Sequence, residues 1–136
     1  MRTTIRACLA LGLCLGFSVA ALGAGDAEAT AQAKAYRAVL KAISAGDLEA
    51  YKKGLSSATL KQMEEQTKGR SPKDVMDFLK MMTPTDQKIT SVKVEGKTAK
   101  LQVTGKMDGQ AMNGSISMVE EGGQWKVGQP DWGASK

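Results

Sequence analysis

Histidine is absent from this 136-residue chain, and both of its cysteines, Cys8 and Cys14, lie near the start. The first absence removes imidazole as a catalytic base or metal ligand, and the second leaves everything past residue 14 without a thiolate. A zinc centre and nucleophilic cysteine chemistry are thereby set aside, and no cofactor is expected. Aromatic residues are few, two each of Trp, Tyr and Phe. The net charge of +5 comes without a dense basic run or aromatic interleaving, since most lysines are interspersed with acids. That distribution describes a solvated surface, not a nucleic-acid footprint. No apolar run reaches the roughly 20 residues that a spanning helix requires, so no membrane span is expected.

What is present begins with an address. Arg2 and Arg6 make a basic start, Ala7 to Val19 carries no charge, and the small-residue stretch AALGAG follows. These are the n-region, h-region and cleavage zone of a secretory signal peptide. Residues 1–24 are therefore expected to be a cleaved leader, cut after Gly23 or Ala24 or a few residues to either side. Neither cysteine has the context of a lipid anchor: Cys14 follows Leu13, and Cys8 sits too near the start. The expected destination is the periplasm, with secretion as the alternative. The exported chain would have no cysteine and a net charge of about +3, after loss of Arg2 and Arg6. Without disulfides it must hold together by one hydrophobic core, for which its length suffices.

The central stretch, KAYRAVLKAISAGDLEAYKKGL from Lys34 to Leu55, organises the rest. Tyr36, Val39, Leu40 and Ile43 fall at i, i+3, i+4 and i+7, one apolar stripe of a helix. Gly46 stands where a C-cap wants a residue tolerant of positive φ, and Asp47 then caps a second short helix carrying Leu48, Tyr51 and Leu55. Ser56 or Ser57 can start a third helix through Leu60 and Met63, closed by Gly69. Ser71-Pro72 starts a fourth, with Val75, Phe78, Leu79 and Met82 as its expected buried stripe and Thr83-Pro84 as its stop.

Beyond residue 87 the period changes from 3.6 to 2. Val92 and Val94, then Ala99, Leu101 and Val103, then Met112, Ile116 and Met118, then Trp125 and Val127 mark four half-buried strands. Gly96, Asp108-Gly109 and Gly122-Gly123 are the turns between them. Ile89 is out of parity with Val92, so that strand either carries a bulge or begins later. Residues 25–128 thus read as a single α+β domain, N-terminal helices on a four-stranded antiparallel meander. Residues 129–136 read as a loose C-terminal tail, with only Trp132 packing back.

The order of helices, Gly-Asp break and closing strand resembles the nuclear-transport-factor-two-like (cystatin-like) superfamily, and within it the small exported bacterial branch similar to lumazine-binding-like domains. Ala35-Tyr36, the run from Ala45 to Tyr51 (AGDLEAY), Leu55-Ser56 and Gly123-Gln124-Trp125-Lys126-Val127 carry the likeness, over residues 30–128. It implies a curved, cone-shaped sheet wrapped around the first helix, with a pocket between them. It implies no single activity, because such folds host enzymes, binding modules and assembly domains alike.

The acids sit mostly at caps (Asp47, Asp74), turns (Asp108, Glu120, Glu121) or exposed helical faces, where capping and solvation account for them. Seven methionines beyond the expected leader invite a Cu(I) reading, but Met63, Met82, Met112 and Met118 fall on expected core positions, where thioethers serve as flexible filler. The remaining candidate is the pocket, with Tyr36, Tyr51, Phe78, Met118 and Trp125 as its wall. The function expected is a non-enzymatic exported domain that binds a small apolar ligand or docks an envelope protein. Two alternatives stand beside it. One is an isomerase- or hydratase-type enzyme using a tyrosine and a buried acid; the other is a structural homodimer through the sheet face.

Overall fold

The computed structural model describes residues 20–22 and 24–135, with side chains from residue 26 onward. The basic start, the uncharged run from Ala7 to Val19 and both cysteines lie outside the described residues. In chain order the elements are β1 (Ala20–Leu22), α1 (Ala24–Ala27), α2 (Ala31–Ala45), α3 (Leu48–Lys53), α4 (Ser57–Gln66) and α5 (Pro72–Met82), followed by β2 (Thr85–Glu95), β3 (Thr98–Met107), β4 (Gln110–Glu121) and β5 (Gln124–Ala134). The single-turn α1 and four longer helices thus precede a four-strand antiparallel meander, β2 to β5, an α+β fold. Strand β1 adds to the outer edge of β2, pairing Ala20 with Val94 and Leu22 with Val92. It falls inside the segment expected to be the leader.

The helix boundaries follow their caps. The Thr30 hydroxyl accepts the Ala33 N–H to open α2, and Gly46, at φ 72°, closes it in the left-handed conformation. The Asp47 carboxylate accepts the Ala50 N–H to open α3, and Ser56 and Ser71 do the same for α4 and α5. Each such cap stabilises its helix by about 1 kcal/mol. Tyr36, Val39 and Ile43 are buried along α2, as its stripe requires.

The meander presents one face to those helices. Ala99, Leu101 and Val103 of β3 lie opposite Met118, Ile116 and Gly114 of β4, and all six positions are buried. Ile89, Val92, Leu101, Val103 and Ile116 are the largest fully enclosed side chains. At about 1.5–3 kcal/mol each, they anchor the molecule in the sheet. A register shift between Ile89 and Ser91 is the bulge that lets both Ile89 and Val92 face inward. The opposite face is polar, with Lys93, Lys100 and Ser117 in one cross-strand row and Gln102, Ser115 and Asp131 in the next.

Two expectations need correction. The residues after Val127 are not a loose tail: β5 continues to Ala134, pairing Trp132 with Gly114 and Ala134 with Met112. A register shift between Ile116 and Met118 lets β5 change pairing around Gly128 and stay in the sheet. On α5 the buried positions are Val75 and Met76, with Leu79 half-buried, whereas Phe78 and Met82 are 45% and 53% exposed. The helix is rotated relative to its expected stripe. Between α3 and α4, Leu55 joins the sheet as a parallel bridge to Val127, with the Val127 N–H donating to Gly54 and the Ser56 N–H donating to Val127, both at 2.8 Å.

Candidate functional site

A cleft of about 150 Å3 lies between the helical layer and the second half of β5. Tyr36, Val39 and Ile43 of α2 line its inner side, Tyr51 and Leu55 one end, Leu79 and Met82 of α5 one rim, and Pro130 with Trp132 the sheet side. Each element brings its residue for a local reason. The Gly46 turn sets α3 at a new angle, which carries Tyr51 across the end of α2. Trp132 lies flat because β4 offers Gly114 beneath it, where an added Cβ would stand 2.6 Å from the indole. Among the residues lining the cleft none is charged.

The polar atoms of the inner side satisfy one another. The Tyr36 hydroxyl donates to Gln87 Oε1 at 2.6 Å, and Gln87 Nε2 donates to the Pro84 carbonyl at 2.8 Å. Burial pushes the Tyr36 phenol up to about 12, against smaller opposing effects of nearby Arg37 and the Gln87 bond. Burial raises Tyr51 as well. Both tyrosines are therefore neutral hydroxyls at neutral pH.

Behind Gln87 stands an ionic clamp. Arg37 Nε donates to Glu28 Oε2 at 3.1 Å, and Nη2 donates both to Glu28 Oε1 and to the Gln87 carbonyl. Glu28 Oε1 also accepts the Ile89 N–H at 3.1 Å. The Arg37 hydrogen bond holds the Glu28 carboxyl below its ordinary range, with partial burial opposing and the Ile89 N–H assisting. The clamp ties α2 to the start of β2 and so fixes where Gln87 meets Tyr36.

Of the five residues expected to form a pocket wall, the structure brings two together. Tyr36 and Tyr51 line the cleft. Met118 is 2% exposed and fills the core between the sheet and helices. Trp125 is half-buried at the other end of β5, beside Ala35 and Ala38 of α2 and Ala50 of α3. Phe78 faces outward under the Arg70 guanidinium, 5.7 Å from the ring centre. The reason is rotation for Phe78 and strand position for Trp125, since β5 is long enough to separate its two tryptophans. Trp132, Gln87, Leu79 and Pro130 went unrecognised as site residues. The only signal for Trp132 was a large aromatic in an otherwise polar stretch.

Neither tyrosine hydroxyl has a carboxylate as hydrogen-bond partner among the described residues. The arrangement needed for a tyrosine–acid pair is not assembled there. Among the described residues no group of three or more Cys, Asp or Glu could hold a metal ion, and no helix is long and apolar enough to cross a membrane.

Helices packed on one face of an antiparallel meander are compatible with the nuclear-transport-factor-two-like arrangement. Comparison with curated proteins finds no match. A family model described as a domain of unknown function (DUF4878) matches residues 23–128, from the end of β1 through the first part of β5, and this chain belongs to that family.

Proposed function

We propose that this is an exported, non-enzymatic domain of the nuclear-transport-factor-two-like superfamily that holds a small, largely apolar molecule in the cleft between α2, α5 and β5. The observation that carries the reading is the lining itself: apolar side chains around two tyrosines and Trp132, no charge, and a Tyr36 hydroxyl already paired with Gln87. Ligand sites are commonly apolar hollows with a few placed polar groups. The uncharged h-region between Arg6 and the AALGAG stretch supports delivery to the periplasm. The polar outer face of the sheet gives a homodimer there no apolar anchor.

Native mass spectrometry on protein purified from an exporting host tests this. The expected spectrum shows a chain cut near Gly23 or Ala24, carrying a discrete adduct that leaves on mild denaturation. Thr59→Trp, which fills the cleft from α4, should lack the adduct. A bare wild-type chain, or an adduct retained equally by the filled variant, would overturn the cleft as the site.

A further inference from the structure

The cleft has a neighbour. A second hollow of about 290 Å3 adjoins it, and Leu40, Ile43, Thr83, Pro84 and Gln87 line both. The cleft side is uncharged, whereas the second hollow adds Arg37, Lys80 and Asp86. Two of these charges are answered within the protein. Glu28 clamps Arg37, and Lys106 faces Asp86 at 3.9 Å. Lys80 forms no salt bridge among the described residues, and Asp77, the acid one turn behind it, is bonded to Lys73 at 2.5 Å. The Lys80 Nζ stands beside Gly46 at the end of α2, 3.6 Å from where a Cβ would be.

We infer that the ligand is a medium-length straight-chain carboxylate, its alkyl tail in the uncharged cleft and its carboxylate beside Lys80 in the adjoining hollow. The inference rests on the cleft being the ligand site and adds the chemistry of what fills it. The Lys80 ammonium, in no salt bridge among the described residues, matches one negative charge, and a carboxylate accepts charge-assisted hydrogen bonds from it. Arg37 engages Glu28 and Gln87 through Nε and Nη2 and makes no bond through Nη1 among the described residues, which leaves a second donor at hand. The tail needs no polar group, because Tyr36 and Gln87 already satisfy each other. Its length is limited: a cleft of about 150 Å3 has the room of about five waters. Chains of medium length fit, and large fused-ring molecules exceed the space.

Calorimetric titration of the exported protein with octanoate, octanol and octylammonium separates head from tail. Octanoate should bind about tenfold more tightly than octylammonium, with octanol between them. Lys80→Gln, an exposed change that leaves the fold intact, should weaken octanoate by about five- to tenfold and leave octanol within about twofold. Equal binding of all three probes, or octanoate binding unchanged in Lys80→Gln, would overturn the placement of the carboxylate while the cleft stood as the site. Failure of every probe to bind, or octanol binding untouched by Thr59→Trp, would instead remove the cleft, and the inference with it.

Discussion

Gly114 shows how one missing carbon shapes the site. It sits in the middle of β4, opposite Trp132, and a Cβ there would meet the indole at 2.6–2.7 Å. Gly114→Ala must push Trp132 into the cleft or out to solvent. The expected outcome is a loss of about 1–3 kcal/mol, together with a change in Trp132 emission and weaker octanol binding. A Trp125→Phe background would let fluorescence report Trp132 alone, and denaturant titration would give the stability. Unchanged emission and stability would show that the indole does not rest on β4 as described. None of this was legible in the sequence, where Gly114 is one small residue among alternating polar and apolar ones. Its role depends on the register of β5, which a bulge around Gly128 determines.

At the scale of elements, α5 separates propensity from orientation. Ser71 and Pro72 mark its start and Thr83-Pro84 its end, and the structure places both boundaries there. Its apolar residues, however, cover most of the circumference: Val75, Met76, Phe78, Leu79, Met81 and Met82. Two rotations bury a comparable stripe, and only the surfaces of α2 and α3 choose between them. Met76 is 3% exposed and Met81 69%. Met76→Ala should therefore cost about 2–5 kcal/mol, whereas Met81→Gln should stay within about 0.5 kcal/mol. Chemical denaturation of the two variants checks the rotation, and equal losses would refute it. The packing also ranks the helices. Helix α4 has no buried residue, and its link to β5 includes an exposed Gln129-to-Gln62 hydrogen bond of 2.6 Å.

At the scale of the whole molecule, the last residues of the chain close the architecture. The matched family region ends at residue 128, yet β5 runs on to Ala134 and supplies Pro130 and Trp132 to the cleft. Truncation after Gly128 would strip β4 of its neighbour along Met112–Ile116 and remove the sheet side of the cleft. The expected result is a thermal midpoint lower by on the order of 10 °C, as a loss of a few kcal/mol implies for a domain of this size. Octanol binding should disappear with it. Circular dichroism melts and calorimetry on the truncated protein check this, and an unchanged midpoint would make these residues a passive tail after all.

Local signals in the sequence determined the punctuation and the fold class. Caps at Asp47, Ser56 and Ser71, the left-handed Gly46, the Asp108-Gly109 turn and the change of period beyond residue 87 each act over a few residues. Such signals survive in a linear reading because their physics is local. The site did not survive in that way. It joins Tyr36 to Gln87 across 51 positions and Trp132 to Gly114 across the β4–β5 register. Which faces of α5 and β5 turn toward α2 is decided by packing among distant segments, so only the tertiary structure could bring two tyrosines and the far tryptophan to one cleft and send Phe78, Met118 and Trp125 elsewhere.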